Sequence, residues 1–245
     1  MGELTTTALR KSPVRRAAAG AANRISVLLV DDHTLIRQGV RVLLEAEADI
    51  VVVGEAEDGR QAVEMTLRQR PQVVVMDIAM PLLNGIEATR QILAALPTTR
   101  VLILSAHSDE EYVERVTTLG AAGYVLKQSS LHDLAEAIRT ARAGRFYVSP
   151  SIVRHPRRKA GGTPGQRGAT ALPARLSTRE AEVLQLVAEG KANKQTAVEL
   201  GISIKTVEKH RNGLMQKLDI HDVAGLVRYA IAAGIIEGRD RSPLS

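Results

Sequence analysis

The chain reads as two folded domains: an α/β domain on a doubly wound, five-stranded parallel sheet, then an all-α domain of four helices containing a helix-turn-helix. Three observations predict this. From Ile25, short β-branched-rich apolar runs alternate with segments of helical spacing. From Leu176 the strand-like runs stop and only helical spacing remains. Between them lies a basic stretch centred on GGTPGQRG, the composition of a tether rather than of a core. The expected division is residues 1–24 as a disordered extension, 25–147 as the first domain, 148–175 as a flexible basic linker and 176–245 as the second domain.

Taken in order, ISVLLV, IVVVGEA, VVVMD, RVLILS and GYVL are nearly continuous apolar runs, as strands buried on both faces must be. TLIRQGVRVLLEA and GIEATRQILAAL, lying between them, repeat apolar residues at helical spacing. Parallel strands joined by helices cross over right-handedly and leave helices on both faces of the sheet. The second domain offers TREAEVLQLVAEG, NKQTAVELG, SIKTVEKHRNGLMQKL and DVAGLVRYAIAAG as helices. Gly190 and Gly201 are natural stops, Ser203 is a natural N-cap, and the tight ELGISIKT joins two of the helices.

Composition excludes several classes of function. The 245 residues contain no Cys, which removes disulfides, thiolate metal sites and cysteine nucleophiles. Four Tyr, one Phe and no Trp leave little to stack on bases or to cage an organic cofactor. No apolar run approaches the ~20 residues of a membrane span, and no secretory leader is evident, so a cytoplasmic setting without membrane partners is expected. The net charge of +6 sits in the two basic tails; residues 25–150 carry 12 basic against 17 acidic side chains.

Open α/β sheets bind ligands at the carboxyl ends of their strands, where strand order reverses. The first strand runs into Asp31 and Asp32, and the third ends in Asp77. With those strands adjacent, three carboxylates converge and call for a cation; Mg²⁺, hard and oxygen-seeking, suits them. The fourth strand ends in Ser105 and the fifth is followed by Lys127. A metal, a carboxylate, a hydroxyl and an ammonium at one mouth fit a phosphoryl group.

LLVDDHTLIRQGV, VVMDIAMPLLNGIEATR, LILSAH and GAAGYVLK together resemble the receiver domain of bacterial two-component response regulators, a flavodoxin-like fold. LSTREAEVLQLVAEGKANKQTAVELGISIKTVEKHRNGLMQKL resembles the DNA-binding domain of the LuxR class, so the whole is similar to a NarL/FixJ-type regulator. The resemblance implies Asp77 as phosphoryl acceptor and Asp31, Asp32 and the Ala79 carbonyl as further Mg²⁺ ligands. It also implies Ser105 and Lys127 on the phosphate oxygens and Tyr124 as the switch aromatic. A sensor histidine kinase, promoter DNA, a phosphorylation-dependent homodimer and RNA polymerase are the partners that follow. Gln128 stands where many receivers have Pro, and Thr196 where an apolar residue is usual.

Within Ser203 to Leu218, Ile204, Val207, Leu214 and Leu218 form an inward apolar stripe. Lys205, Glu208, Lys209, Asn212 and Gln216 form the opposite stripe, able to enter a major groove together. Thr206, His210 and Lys217 flank it and are expected on phosphates, which position without specifying. His33, His107, His132 and His221 lack metal-ligand spacing and read as surface or packing residues. Two rival functions fit less well. A phosphohydrolase with an aspartyl nucleophile needs a second Asp two residues on, and that place is Ala79. A regulator that senses an apolar ligand needs an aromatic-lined pocket, and the first domain holds only Tyr112, Tyr124, Phe146 and Tyr147.

Overall fold

A computed structural model describes residues 24–106, 108, 110–153 and 176–236. Residues 1–23, His107, Asp109, 154–175 of the linker expected over 148–175, and 237–245 lie outside the described residues. The first domain runs β1 (Ile25–Val30), α1 (Thr34–Glu45), β2 (Ile50–Ala56), α2 (Gly59–Gln69), β3 (Val73–Asp77), α3 (Gly85–Ala95), β4 (Arg100–Ser105), α4 (Glu110–Leu119), β5 (Gly123–Leu126) and α5 (Leu131–Arg142). Two short elements follow, β6 (Tyr147–Val148) and α6 (Pro150–Val153). The second domain holds α7 (Thr178–Ala188), α8 (Asn193–Leu200), α9 (Ile204–Leu218) and α10 (Val223–Ala232).

All five expected strands form where the apolar runs lie, in a parallel sheet of order β2-β1-β3-β4-β5-β6. The sheet has six strands, not five. The added β6 is two residues long, pairs with β5 and brings α6 back onto the sheet, so Ile152 is buried in the first domain's core. The first domain's packing therefore continues past residue 147, into the stretch expected to open the linker. Arg24, expected in the extension, donates to the Ile50 carbonyl.

The period-two alternation of each strand divides the core. Val27, Leu29, Val73 and Val75 pack beneath α1 and α5 with Leu44, Leu134 and Ile138. Leu28, Val30, Val74 and Met76 face the other side, with Ala62, Ala88, Ile92 and Val116 of α2, α3 and α4. A separate cluster of Val183, Leu184, Leu186, Leu200, Val207, Leu214 and Leu226 holds the four helices of the second domain. Among the described residues, no helix is long and apolar enough to cross a membrane.

The helix-turn-helix follows its expected punctuation. Gly190 (φ +84°) and Gly201 (φ +62°) sit in the left-handed region that favours glycine at a helix end, and the Ser203 hydroxyl accepts from the Thr206 amide at 3.1 Å. In α9, Val207 and Leu214 are buried and Leu218 packs against the core, but Ile204 is exposed. Ile204 opens the helix, one turn beyond the point where the core can reach it.

Thr196 is fully buried, and among the described residues its hydroxyl finds no partner. A buried hydroxyl left unpaired costs roughly 1–3 kcal/mol. Thr196→Val keeps the shape and removes that cost, so it is expected to raise second-domain stability by about 1 kcal/mol in urea unfolding. A drop in stability would show that the hydroxyl is satisfied.

Candidate functional site

Parallel register brings the strand ends together. Val30 lies beside Met76, Asp77 beside Leu104 and Ser105 beside Leu126, so the residues ending β1, β3 and β4 and following β5 share one mouth. Asp31, Asp77 and Ser105 are buried there, and Asp32 and Lys127 are half-buried. The Lys127 ammonium stands 2.7 Å from Asp77 Oδ2 and 2.9 Å from Asp31 Oδ2. Its backbone amide donates to the Ser105 carbonyl at 2.8 Å, which fixes the end of β5 against β4. Asp77 Oδ1 accepts from the Ile78 amide at 2.8 Å.

Burial pushes the Asp77 carboxyl up to about 6, against the pull of the Lys127 charge. Burial pulls Lys127 down, but Asp77 and Asp31 outweigh it and hold the ammonium above its ordinary value.

One oxygen each from Asp31, Asp32 and Asp77, with a ring nitrogen of His33, lie within 4.8 Å of one another. Asp31 Oδ2 and Asp32 Oδ1 are buried without an aligned hydrogen bond, although charged or ionisable nitrogens stand close to both. Carboxylate oxygens gathered around one point are the environment a hard divalent cation fills. His33 belongs to this cluster, contrary to its reading as an ordinary surface residue: Nδ1 is 2.8 Å from Asp32 Oδ1 and 3.2 Å from Asp31 Oδ1. Spacing could not show this, because His33 reaches the site by lying beside its ligands and not at metal-motif intervals.

Ala79 is half-buried in the loop after β3. That loop folds back tightly: the Gly85 amide donates to the Ile78 carbonyl at 2.8 Å, and a Cβ on Gly85 would lie 1.8 Å from the Asp77 carbonyl oxygen. Only glycine permits that approach. Tyr124 is fully buried in the core beneath α2, α3 and α4, beside Ile103 of β4.

The loop from Met80 to Asn84, directly after the acidic cluster, is also where the second domain attaches. Gln185 of α7, almost fully buried, accepts from the Asn84 amide at 2.7 Å and from Asn84 Nδ2 at 3.2 Å, and donates to the Met80 carbonyl at 2.8 Å. Its Nε2 also donates to Glu189 Oε1 at 2.8 Å, and that oxygen accepts from the Leu82 amide at 3.2 Å. Burial pushes the Glu189 carboxyl up. Leu82 holds a left-handed conformation (φ +66°) and its side chain packs into the second domain's core. Around this clasp, Arg60 donates to the Glu199 carbonyl, Arg90 to Thr178 Oγ1 and Arg115 to the Ala233 carbonyl. Sequence reasoning missed Gln185, since a lone polar residue between buried Leu184 and Leu186 carries no period of its own.

Among the described residues, none of the hydrogen bonds between the domains comes from α9. Lys205, Glu208, Lys209, Asn212 and Gln216 are exposed along one side of it, with Thr206 and His210 half-buried at its flanks. Lys217 differs from expectation: its ammonium pairs with Glu180 Oε2 at 2.7 Å, tying α9 to the start of α7.

An acidic mouth at the sheet's switch point, joined to a helix-turn-helix with an open polar face, defines a receiver coupled to a DNA-binding domain. Residues 27–139 match the response regulator receiver domain, and residues 174–230 match the luxR family of bacterial regulatory proteins. The chain is 40% identical over 207 residues to the transcriptional regulatory protein LiaR of Bacillus subtilis, covering 84% of this chain and 96% of that one. It is 36% identical over 229 residues to the transcriptional regulatory protein DegU of Brevibacillus brevis, covering 89% and 97%. Among solved structures, RcsB of Salmonella typhimurium matches at 29% identity with a TM-score of 0.52, covering 86% of this chain and 99% of that one. RcsB has also been solved in complex with DNA, and that structure matches at 28% identity with a TM-score of 0.52, covering 84% and 98%. The chain belongs to the two-component response regulators with a LuxR-type DNA-binding domain, and is a DNA-binding transcriptional regulator of the NarL/FixJ type.

Proposed function

We propose that a sensor histidine kinase phosphorylates Asp77, and that the phosphorylated protein dimerises and binds promoter DNA through α9. The convergence of Asp31, Asp32, Asp77 and Lys127 on one mouth carries this reading. The Asp77 carboxylate attacks phosphorus, the bond from phosphorus to the donor nitrogen breaks, and an acyl phosphate forms. Mg²⁺, held by Asp31, Asp32, Asp77 and the Ala79 carbonyl, would neutralise charge on the transferring group. Lys127 and Ser105 would take the remaining phosphate oxygens. Incubation with a small phosphodonor tests the site: covalent label is expected with Mg²⁺ and only at background when a chelator removes it. Equal labelling in both would refute the metal site.

A phosphoryl group on Asp77 adds charge one turn of chain from Met80, whose carbonyl Gln185 holds. Phosphorylation can act only by stabilising one arrangement over another. The loop clasped by Gln185 and the strand carrying Tyr124 are the elements it would bias, releasing the second domain to pair with another copy. RNA polymerase would be engaged by the DNA-bound dimer.

On DNA, Lys209 would read a base edge. Lys209→Ala is expected to weaken binding to cognate sites by roughly 1–3 kcal/mol while leaving random DNA nearly unaffected. Lys217 sits beside the DNA face but is tied to Glu180. Lys217→Ala should weaken both DNAs alike, lower the salt slope by about one, and leave their ratio unchanged. Titrations on both DNAs at several salt concentrations distinguish the two. Equal losses for Lys209→Ala on both DNAs would reduce Lys209 to a phosphate contact.

A further inference from the structure

At the opposite end of the sheet from Asp77, an open cleft of about 300 Å³ is lined by Arg70, Arg100, Arg142, Thr98 and Gln72, with no carboxylate in its wall. Most other arginines of the first domain have a partner. Arg37, Arg41, Arg68, Arg90 and Arg139 pair with carboxylates, and Arg24, Arg60 and Arg115 donate to backbone carbonyls. Among the described residues, Arg70, Arg100, Arg142 and Arg145 make no ion pair or side-chain hydrogen bond, and three of these four meet at this one cavity.

Helix ends explain part of the pattern. Arg70 caps the C-terminus of α2 and Arg142 lies in the last turn of α5, where a cation complements the helix dipole. Arg100 opens strand β4, and its guanidinium leans to within 3.6 Å of where a Cβ on Gly144, just past the end of α5, would stand, so it joins Arg142 at the same helix end. The domain carries more acidic than basic residues, yet no carboxylate lines this cleft, where three exposed guanidiniums stand together.

We propose that this cavity binds a small anion bearing a diphosphate group. Guanidinium forks meet phosphate oxygens two at a time, and three forks offer more donors than one phosphate can use. The Thr98 hydroxyl adds another donor; Thr99 Oγ1 is already committed to the Pro71 carbonyl and Gln72 Oε1 to the Ser26 amide. No aromatic ring lines the wall, so nothing there stacks on a base and the phosphates are what is read. A concave site of this size also favours a compact ligand over the convex backbone of a duplex.

The test is calorimetric titration of the full chain with inorganic pyrophosphate, with sulfate and with ADP, in chelator so that no divalent ion bridges ligand to the acidic mouth. Pyrophosphate should bind at least about tenfold more tightly than sulfate, and Arg100→Gln should weaken it by about tenfold or more. Lys209→Ala should leave it unchanged. Arg142→Gln carries the same test should Arg100→Gln fail to fold. ADP binding as tightly as pyrophosphate would assign a free diphosphate, and tighter binding would assign a nucleotide; either supports the site. Pyrophosphate binding no better than sulfate, or indifferent to both arginine variants, would overturn it. So would arginine variants that lose affinity for random DNA while the parent binds no pyrophosphate, since these side chains would then be contacts to a nucleic-acid backbone. Occupancy does not depend on Asp77, and Asp77→Asn should bind pyrophosphate like the parent, which separates this proposal from the phosphoryl-transfer reading.

Discussion

Asp77→Asn is expected to reduce phosphoryl labelling to background while leaving the fold intact. Asparagine matches aspartate in size and can still accept from the Ile78 amide. Lys127 keeps Asp31 as a partner. What is lost is the nucleophilic carboxylate. Asp58→Asn is the control. Asp58 follows strand β2, two strands away from Asp77, and its side chain caps α2 by accepting from the Arg60 and Gln61 amides at 2.8 and 2.9 Å, work that asparagine also performs. Full labelling of Asp77→Asn would end the receiver reading. The same variant carries a stability signature. Burial holds the Asp77 carboxyl at about 6, above its ordinary 3.8, so its contribution is favourable below 3.8 and is lost as pH rises through about 6. In metal-free protein, Asp77→Asn should therefore be more stable than the parent above pH 6, by on the order of 2 kcal/mol, with the gain vanishing near pH 4. Thermal unfolding across that range checks the sign.

Gln185→Leu is expected to open the molecule without unfolding either domain. Leucine matches the volume of glutamine but leaves the Asn84 amide and the Met80 carbonyl without their partner, and each unpaired buried group costs roughly 1–3 kcal/mol. Each domain keeps its own core, so the cost falls on the contact between them. About 1.4 kcal/mol shifts a two-state population tenfold, so losing both bonds should make the separated arrangement dominant. Small-angle scattering of the unphosphorylated variant should show a larger radius of gyration than the unphosphorylated parent at the same molecular mass. An unchanged radius would mean that Gln185 does not hold the domains together.

How far the sequence reaches depends on the kind of signal. Strands β3, β4 and β5 are legible because both faces are buried, which demands continuous β-branched runs; β2, at the sheet edge with Val53 exposed, is legible from its IVVV run alone. Asp31, Asp32, Asp77, Ser105 and Lys127 are legible because parallel topology alone places strand ends together. Strand β6 is not, since two residues beside the exposed Phe146 and before Pro150 have no length over which a period can show. Ile204 breaks the helical stripe because periodicity fixes the side of the helix but not how far the core extends along it. Gln185 and Glu189 act through contacts between the domains, and local pattern carries no record of those. Lys217 shows the same limit: its place on α9 is legible, but its bond to Glu180 is not.

One carboxylate, Asp77, is proposed to govern DNA binding by the other domain. One sample treated with a small phosphodonor and Mg²⁺, then measured both for intact mass and for binding to promoter DNA, tests this. A gain of a single phosphoryl group together with dimeric, tighter DNA binding is expected, and neither in Asp77→Asn. A full mass gain with DNA binding unchanged, or tighter binding that persists in Asp77→Asn, would contradict it.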